Sequence, residues 1–302
     1  MEGEVLVKVY ATGVTPNEIV WIWKSQDDDD ATTTSNIPLP IILGHELSGT
    51  VEEVGPRVTN LRVSEAVYGL TDPTLTHNGA EAEYAIAGQS EVASKLQSLD
   101  HVYAAGVPMG GLTAWQALFD HAHLSSNDTI LIHGAAGGVG SFAVQFARWA
   151  GAHIIGTASA HNFGLLEELG VHNIIDYKKT HFEDIVHEVD VVFDTVGGEI
   201  LERSWKVLRK GGKLVSVASL DMPVGYEKLP LYFREKGASH GVDAIWFIVH
   251  PNREQLVRIG ELIDSGYVKP IVDTVLPLSQ ASQAYEGAKG IHKHGKIVLR
   301  VI

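Results

Sequence analysis

Apolar residues concentrate at alternating positions along VLVKVY, between Glu4 and Tyr10, a pattern that predicts a strand. Alternation resumes in IILGHELSGTVEEVG after Pro38 and Pro40. There Gly44, Gly49 and Gly55 punctuate the chain as short twisted strands require. A small β-rich unit is therefore expected over roughly the first hundred residues. The texture changes after about Leu99. From Thr129 onward, apolar runs of strand length alternate with helical patterns: TILIH, SFAVQFARWAGA, HIIGT, NFGLLEELG, NIIDY, VDVVFDTV, ILERSWKVLRKGG and KLVSVAS. Such alternation predicts right-handed βαβ units and a parallel sheet covered on both faces. DAIWFIVH and a helix in REQLVRIGELIDSG extend it, and the tail from Tyr267 to Ile302 returns to strand character in IVDTVLPL and KIVLRVI, around a short helix at AYEGA.

Composition narrows the class. The 302 residues include no cysteine, which removes disulfides, iron–sulfur clusters, thiolate zinc sites and a cysteine nucleophile. Lys plus Arg number 23 against 37 Asp plus Glu, a formal charge of −14. That balance argues against nucleic acid or an anionic membrane as partner, so any anionic ligand must be met locally. No apolar run approaches the ~20 residues of a membrane span, and MEGEVLVKVY lacks secretory features. A cytoplasmic protein is the expectation. Four adjacent acids, Asp27 to Asp30, point in divergent directions and read as a solvated loop, since cation loops space their carboxylates.

The most informative stretch is Gly134-Ala135-Ala136-Gly137-Gly138-Val139-Gly140, between the strand TILIH and the helix SFAVQFARWAG. Small residues there permit a tight turn and let backbone amides approach a pyrophosphate resting on the positive end of the following helix. Gly137 and Gly140 take the second and third glycine positions of GxGxxG, and Ala135 replaces the first. An NAD-selective site places Asp or Glu at the end of the second strand, about 20 residues further on. Here the sequence is Gly156-Thr157-Ala158-Ser159-Ala160-His161-Asn162, with no acid before Glu167. Ser159 and His161 could donate to a 2′-phosphate, favouring NADPH; the alternative is that they merely start the next helix.

These residues bring the chain to a resemblance. GEVLVKVYATGV, LGHELSGTVEEVG, AVYGL, NGAEAEYA, GLTAWQAL, HGAAGGVGSFAVQFAR, VVFDTVGGE, GGKLVSVAS and GKIVLRVI together resemble the medium-chain dehydrogenase/reductase superfamily, in its zinc-independent quinone oxidoreductase, zeta-crystallin-like branch. The resemblance implies an α/β fold in which a Rossmann parallel-sheet domain, residues 106–266, interrupts a GroES-like β-rich catalytic domain, residues 1–105 and 267–302. It also implies a homodimer that joins the last strands of two nucleotide domains, and a hairpin ahead of GEVLVKV that this sequence lacks. In zinc-dependent relatives a cysteine ligand aligns with Thr15 and a histidine ligand with His45 in Gly44-His45-Glu46. With the cysteine replaced, His45 and Glu46 are expected to form a hydrogen-bonded structural pair rather than hold metal. Zinc-independent members commonly carry asparagine at the position of Thr15. Thr113 matches a position lining the nicotinamide and Tyr177 one beside the 2′-phosphate, while His161 stands where arginine is frequent. Ser64-Glu65 replace a usual Gly-Asp.

The reaction implied is hydride transfer from NADPH to a quinone or α,β-unsaturated carbonyl. Thr15, Asn17 or Tyr68 would stabilise the developing oxyanion and solvent would supply the proton; Tyr68 also reads as a packed strand residue. Two other readings are an NADPH-binding sensor or structural protein without turnover and an alcohol dehydrogenase-like enzyme, the latter needing a Lewis acid. The spacing of His121 with His123 and of His292 with His294 reads as exposed side chains. Lys293 and Lys296 read equally as phosphate contacts or a solvated turn.

Overall fold

The computed structural model describes residues 2–15, 18, 40–72, 79–218, 224–286 and 294–302. In chain order the strands and helices begin with β1 (Glu4–Val14), β2 (Glu46–Val54), β3 (Ala66–Leu70), β4 (Tyr84–Gly88) and β5 (Val92–Ser94), followed by α1 (His101–Ala105) and α2 (Pro108–Trp115). Then come β6 (Thr129–Ile132), α3 (Gly140–Ala150), β7 (His153–Ala158), α4 (Phe163–Leu169), β8 (Asn173–Asp176), β9 (Val189–Asp194), α5 (Gly198–Ser204) and β10 (Leu208–Ser216). The remainder comprises α6 (Leu229–His240), β11 (Asp243–Trp246), α7 (Arg253–Asp264), β12 (Val272–Pro277), α8 (Ala281–Glu286) and β13 (Lys296–Arg300). The chain divides into two compact units, one formed by residues 1–112, 250–266 and 270–302, the other by residues 113–249 and 267–269.

The first unit is built on a sheet ordered β12-β13-β1-β2-β3-β5, with β4 also paired to β1. Its pairings are antiparallel except for β12 with β13. Val5, Val7 and Val9 turn inward at every second position, as the alternation requires, and pack with Leu47, Val51, Val67 and Val92. Helix α7 belongs to this unit, although it follows the last strand of the parallel sheet in sequence. Asn252 caps its N-terminus, the side chain accepting from Gln255 N, and Arg253 Nη1 donates to Val92 O at 2.8 Å.

The second unit carries a parallel six-stranded sheet ordered β11-β10-β9-β6-β7-β8. Counted from β6, that is the 3-2-1-4-5-6 order of a doubly wound nucleotide-binding sheet, whose direction reverses between β6 and β9. Leu131, Val192, Leu214, Phe233 and Trp205 fill one of its cores. The run ILERSWKVLRKGG does not stay helical. Helix α5 ends at Ser204 and β10 starts at Leu208, where Leu208 pairs with Val189 and Gly211 takes φ +75 after a register shift. Helix α2 continues into a π-helical segment, Gln116–His121, whose buried residues are Gln116, Ala117 and Leu118.

Candidate functional site

In the parallel-sheet unit the reversal between β6 and β9 opens beside the glycine turn. Gly134 makes the tight bend at φ +67, one residue before the position assigned to the first glycine, and a Cβ there would lie 2.5 Å from Thr195 Oγ1. Ala135 follows, fully buried, with its N–H donating to Thr157 O at 3.1 Å. A Cβ on Gly140 would run into Gly134 O and the Ala135 backbone, so this glycine lets α3 start against the turn. Gly137 differs: a Cβ there would meet only Gly134 O, at 3.2 Å. Ala136 is buried, whereas Gly137, Gly138 and Val139 are half-buried ahead of α3. At the start of that helix the buried Ser141 Oγ has no hydrogen-bond partner among the described residues. A bare backbone ahead of an 11-residue helix fits a dinucleotide pyrophosphate.

Across the reversal, Asp194 ends β9 fully buried. Its carboxylate accepts from Val196 N and Gly197 N, both at 3.0 Å, and from Ser216 Oγ at 2.9 Å. Burial pushes its pKa up, and the two N–H donors and the hydroxyl oppose that. It fixes the DTVGG turn, a role that sequence reading misses even with VVFDTVGG in view.

At the end of β7, Ser159 Oγ and His161 Nδ1 lie 3.1 Å apart, so the two residues read as phosphate donors form a hydrogen-bonded pair. Asp176 on β8 stands in register with Ala158; its carboxylate accepts from Lys178 N at 3.1 Å and lies 3.8 Å from Lys179 Nζ. Tyr177 beside it is 52% exposed. Thr113 is buried on α2.

In the β unit, Thr15 directly follows β1 and its carbonyl accepts from Glu18 N at 3.0 Å. Asn17 lies outside the described residues, as do Asp27 to Asp30, His292 and Lys293. Tyr68 is fully buried on β3 and donates its hydroxyl to Leu256 O at 2.6 Å, and burial raises its pKa. That is the placement of a core residue tying α7 to the sheet. His45 and Glu46 are each hydrogen-bonded, but not to one another. His45 Nε2 lies 3.2 Å from Glu18 Oε1, which also accepts from Gly44 N at 2.8 Å. Glu46 turns the other way, pairing with Lys296 and accepting from Met109 N at 3.0 Å. His45 lies in the bend that leads into β2 and Glu46 is the first residue of that strand, and their side chains find separate partners. Lys296 is thus neither a phosphate contact nor a solvated turn residue: it is buried, and it also donates to Val14 O at 3.3 Å. Nearby, Tyr285 on α8 donates to Glu81 Oε1 at 2.6 Å. The histidines divide similarly: His123 is exposed, His121 packs on Phe247 with ring centroids 4.4 Å apart, and His294 lies 3.4 Å from Asp273.

Comparison with known proteins places this arrangement. Residues 1–125 match the family model described as alcohol dehydrogenase GroES-like domain, and residues 169–299 match that described as zinc-binding dehydrogenase. The chloroplastic NADPH-dependent alkenal/one oxidoreductase of Arabidopsis thaliana is 30% identical over 99% of this chain and 72% of its own length. The 2-methylene-furan-3-one reductase of Solanum lycopersicum is 31% identical over 100% and 72%. The solved quinone oxidoreductase of Coxiella burnetii superposes with a TM-score of 0.86 at 30% identity, covering 99% of this chain and 91% of that one. The chain belongs to the medium-chain dehydrogenase/reductase superfamily, in its quinone oxidoreductase-like branch, and is an oxidoreductase of that group. No helix among the described residues is long and apolar enough to cross a membrane.

The zinc in one family description does not fit these residues. There is no thiolate, His45 Nε2 is engaged by a buried carboxylate, and Glu46 is engaged by a buried ammonium. No group of three or more His, Cys, Asp or Glu among the described residues could hold a metal ion.

Proposed function

We propose that the protein reduces quinones or α,β-unsaturated carbonyls with NADPH, without a metal. The observation that carries this reading is the bare-backbone turn at Gly137, set before α3 where the strand order reverses. When bound, the nicotinamide supplies the hydride. The chain's part is to bind and orient. The turn from Ala135 to Val139 receives the pyrophosphate on the positive end of α3 through the main-chain N–H groups of Ala136, Gly138 and Val139, since those of Ala135 and Gly137 donate to Thr157 O and Gly134 O. Thr113 lines the nicotinamide side, and Ser159 and His161, with Tyr177 beside them, receive the 2′-phosphate. That preference rests on the absence of any acid between Gly156 and His161, with Asp176 engaged by Lys178 and Lys179. Thr15, with Asn17, donates to the substrate oxygen as negative charge builds on it, and a solvent proton completes the reaction. Tyr68 has its hydroxyl committed to Leu256, so its part is to hold the core.

Fluorescence titration with NADPH and NADH, followed by assays on quinones, enals and simple alcohols, tests the reading. Tighter NADPH binding with turnover of quinones or enals, unchanged after exhaustive chelation, is expected. NADPH binding with no turnover of any acceptor would make this a sensor or structural protein, and turnover confined to alcohols with bound zinc would make it an alcohol dehydrogenase.

Homodimerisation belongs to the same proposal. Strand β11 lies at a sheet edge with Ile245 exposed, and Ile248 just beyond it is exposed as well. Pairing of β11 with its copy would cover both, and a monodisperse monomer in sedimentation would refute it. Cytoplasmic residence is proposed as well, where reduced cofactor is available, and cell fractionation tests it.

A further inference from the structure

We infer that His133 is a positioning residue for the dinucleotide, holding the glycine turn through a Thr157–His133–Ser204 relay. The inference rests on the cofactor reading above and concerns residues that this reading leaves without a role. His133 follows β6 directly and precedes Gly134. It is fully buried, yet both ring nitrogens meet hydroxyls: Nδ1 lies 3.1 Å from Thr157 Oγ1 and Nε2 lies 3.0 Å from Ser204 Oγ.

The proton positions follow from the partners. Ser204 Oγ donates its one proton to Ile200 O at 2.7 Å, so towards His133 it can only accept. Nε2 therefore carries the hydrogen, and Nδ1 accepts from Thr157 Oγ1. The ring is held neutral in one tautomer. Burial, and after it the Arg203 guanidinium, pushes the pKa down to about 3, which keeps this state across the working pH range.

The main chain ties the same residue to the turn. His133 N donates to Phe193 O at 2.9 Å, and His133 O accepts from Thr195 Oγ1 at 2.8 Å. Two residues on, Ala135 N donates to Thr157 O at 3.1 Å. Thr157 thus grips the turn twice, by the imidazole before Gly134 and by the amide after it. Phe182 closes over the ring, with centroids 4.6 Å apart. A buried polar ring costs desolvation that an apolar one would not. What it adds is direction, since its two bonds fix where β7 and α5 stand relative to the residue that starts the turn. Ser204, on α5, thereby acts on the cofactor cradle through His133.

The test uses isosteric changes in the full-length protein. Thr157→Val removes only the donor, Ser204→Ala removes the far acceptor, and Thr157→Ser retains the hydroxyl. Each variant is titrated with NADPH and assayed at saturating cofactor, with thermal unfolding measured in parallel. Thr157→Val and Ser204→Ala are expected to raise the NADPH Kd and KM by about tenfold, the scale of one lost hydrogen bond. kcat should stay within about twofold, and Thr157→Ser should restore native binding. Kd values within about twofold of native in both variants, with only the unfolding temperature lowered, would overturn the inference. An unaltered protein that binds neither NADPH nor NADH would instead sink the cofactor reading itself.

Discussion

Tyr285 donates its phenol proton to Oε1 of Glu81 at 2.6 Å, tying helix α8 to the segment that precedes β4. Burial pushes the Glu81 carboxyl from its ordinary 4.5 up to about 7; Glu18 adds to the rise, while the Tyr285 hydrogen bond and His45 oppose it. A carboxyl that binds its proton more tightly when folded stabilises the fold fully below 4.5, and that contribution is lost as pH rises through 7. The native protein should therefore lose stability between pH 5 and pH 8 through this group, on the order of 2 kcal/mol after allowing for partial exposure. Denaturant unfolding at both values measures it. Glu81→Gln should flatten the dependence, and Tyr285→Phe, which removes an opposing hydrogen bond, should move the loss to higher pH. An unchanged slope in Glu81→Gln would refute the assignment.

The Glu46–Lys296 pair makes a second prediction, about stability rather than pH. Both side chains are buried, and Glu46 also receives Met109 N. Removing one partner leaves the other charged in a low-dielectric interior, which costs about 3–5 kcal/mol. Lys296→Met alone should therefore be strongly destabilising. The double variant Glu46→Gln with Lys296→Met should recover much of that loss, because neither charge remains. Additive losses across the cycle would show that the two groups do not interact.

The parallel sheet is legible in the sequence because buried strands read as short apolar runs and their helices as periodic ones, and the glycine turn is legible because TILIH precedes it and SFAVQFARWAG follows it. The polar core is not. Glu18 with His45, Glu46 with Lys296 and Glu81 with Tyr285 join residues 27, 250 and 204 positions apart, and no local pattern encodes such partners. Adjacency misleads in the case of His45 and Glu46, since one sits in the bend before β2 and the other starts the strand, and their partners Glu18 and Lys296 come from distant segments. The motif favours Ala135 over Gly134 because it counts glycine spacings, whereas the turn needs a positive φ at the residue packed on Thr195. His133 gives no sign beyond being a polar residue at the end of an apolar strand.

Two glycines of the turn should respond differently to one added methyl group. At Gly140 a Cβ would meet main-chain atoms of Gly134 and Ala135, which cannot swing away. Gly140→Ala should lower the unfolding temperature and weaken NADPH together. At Gly137 the added Cβ would stand in the space read as the pyrophosphate cradle, with Gly134 O, at 3.2 Å, its only near neighbour among the described residues. Gly137→Ala, with one tight contact in place of several overlaps, should lower the unfolding temperature far less than Gly140→Ala while raising the NADPH Kd, by about tenfold or more if one backbone–phosphate contact is lost. Circular dichroism with fluorescence titration separates the two outcomes. Unimpaired NADPH binding by a folded Gly137→Ala protein would move the pyrophosphate elsewhere.

Cofactor selectivity should turn on the end of β7. Ser159 is nearly buried there and hydrogen-bonded to His161, and neither carries a fixed charge of the kind arginine would bring. His161→Arg should tighten NADPH without tightening NADH, because a permanent guanidinium gains most from the extra phosphate. Ser159→Asp should act in reverse. A carboxylate at this point repels a 2′-phosphate but accepts from ribose hydroxyls, so the ratio of NADPH to NADH affinity should fall by at least about tenfold. The effect should shrink only modestly as ionic strength rises, since Ser159 is buried and charges in close, partly buried contact are weakly screened. Paired titrations at low and high salt read both quantities, and an affinity ratio that neither substitution moves would place the 2′-phosphate away from these residues.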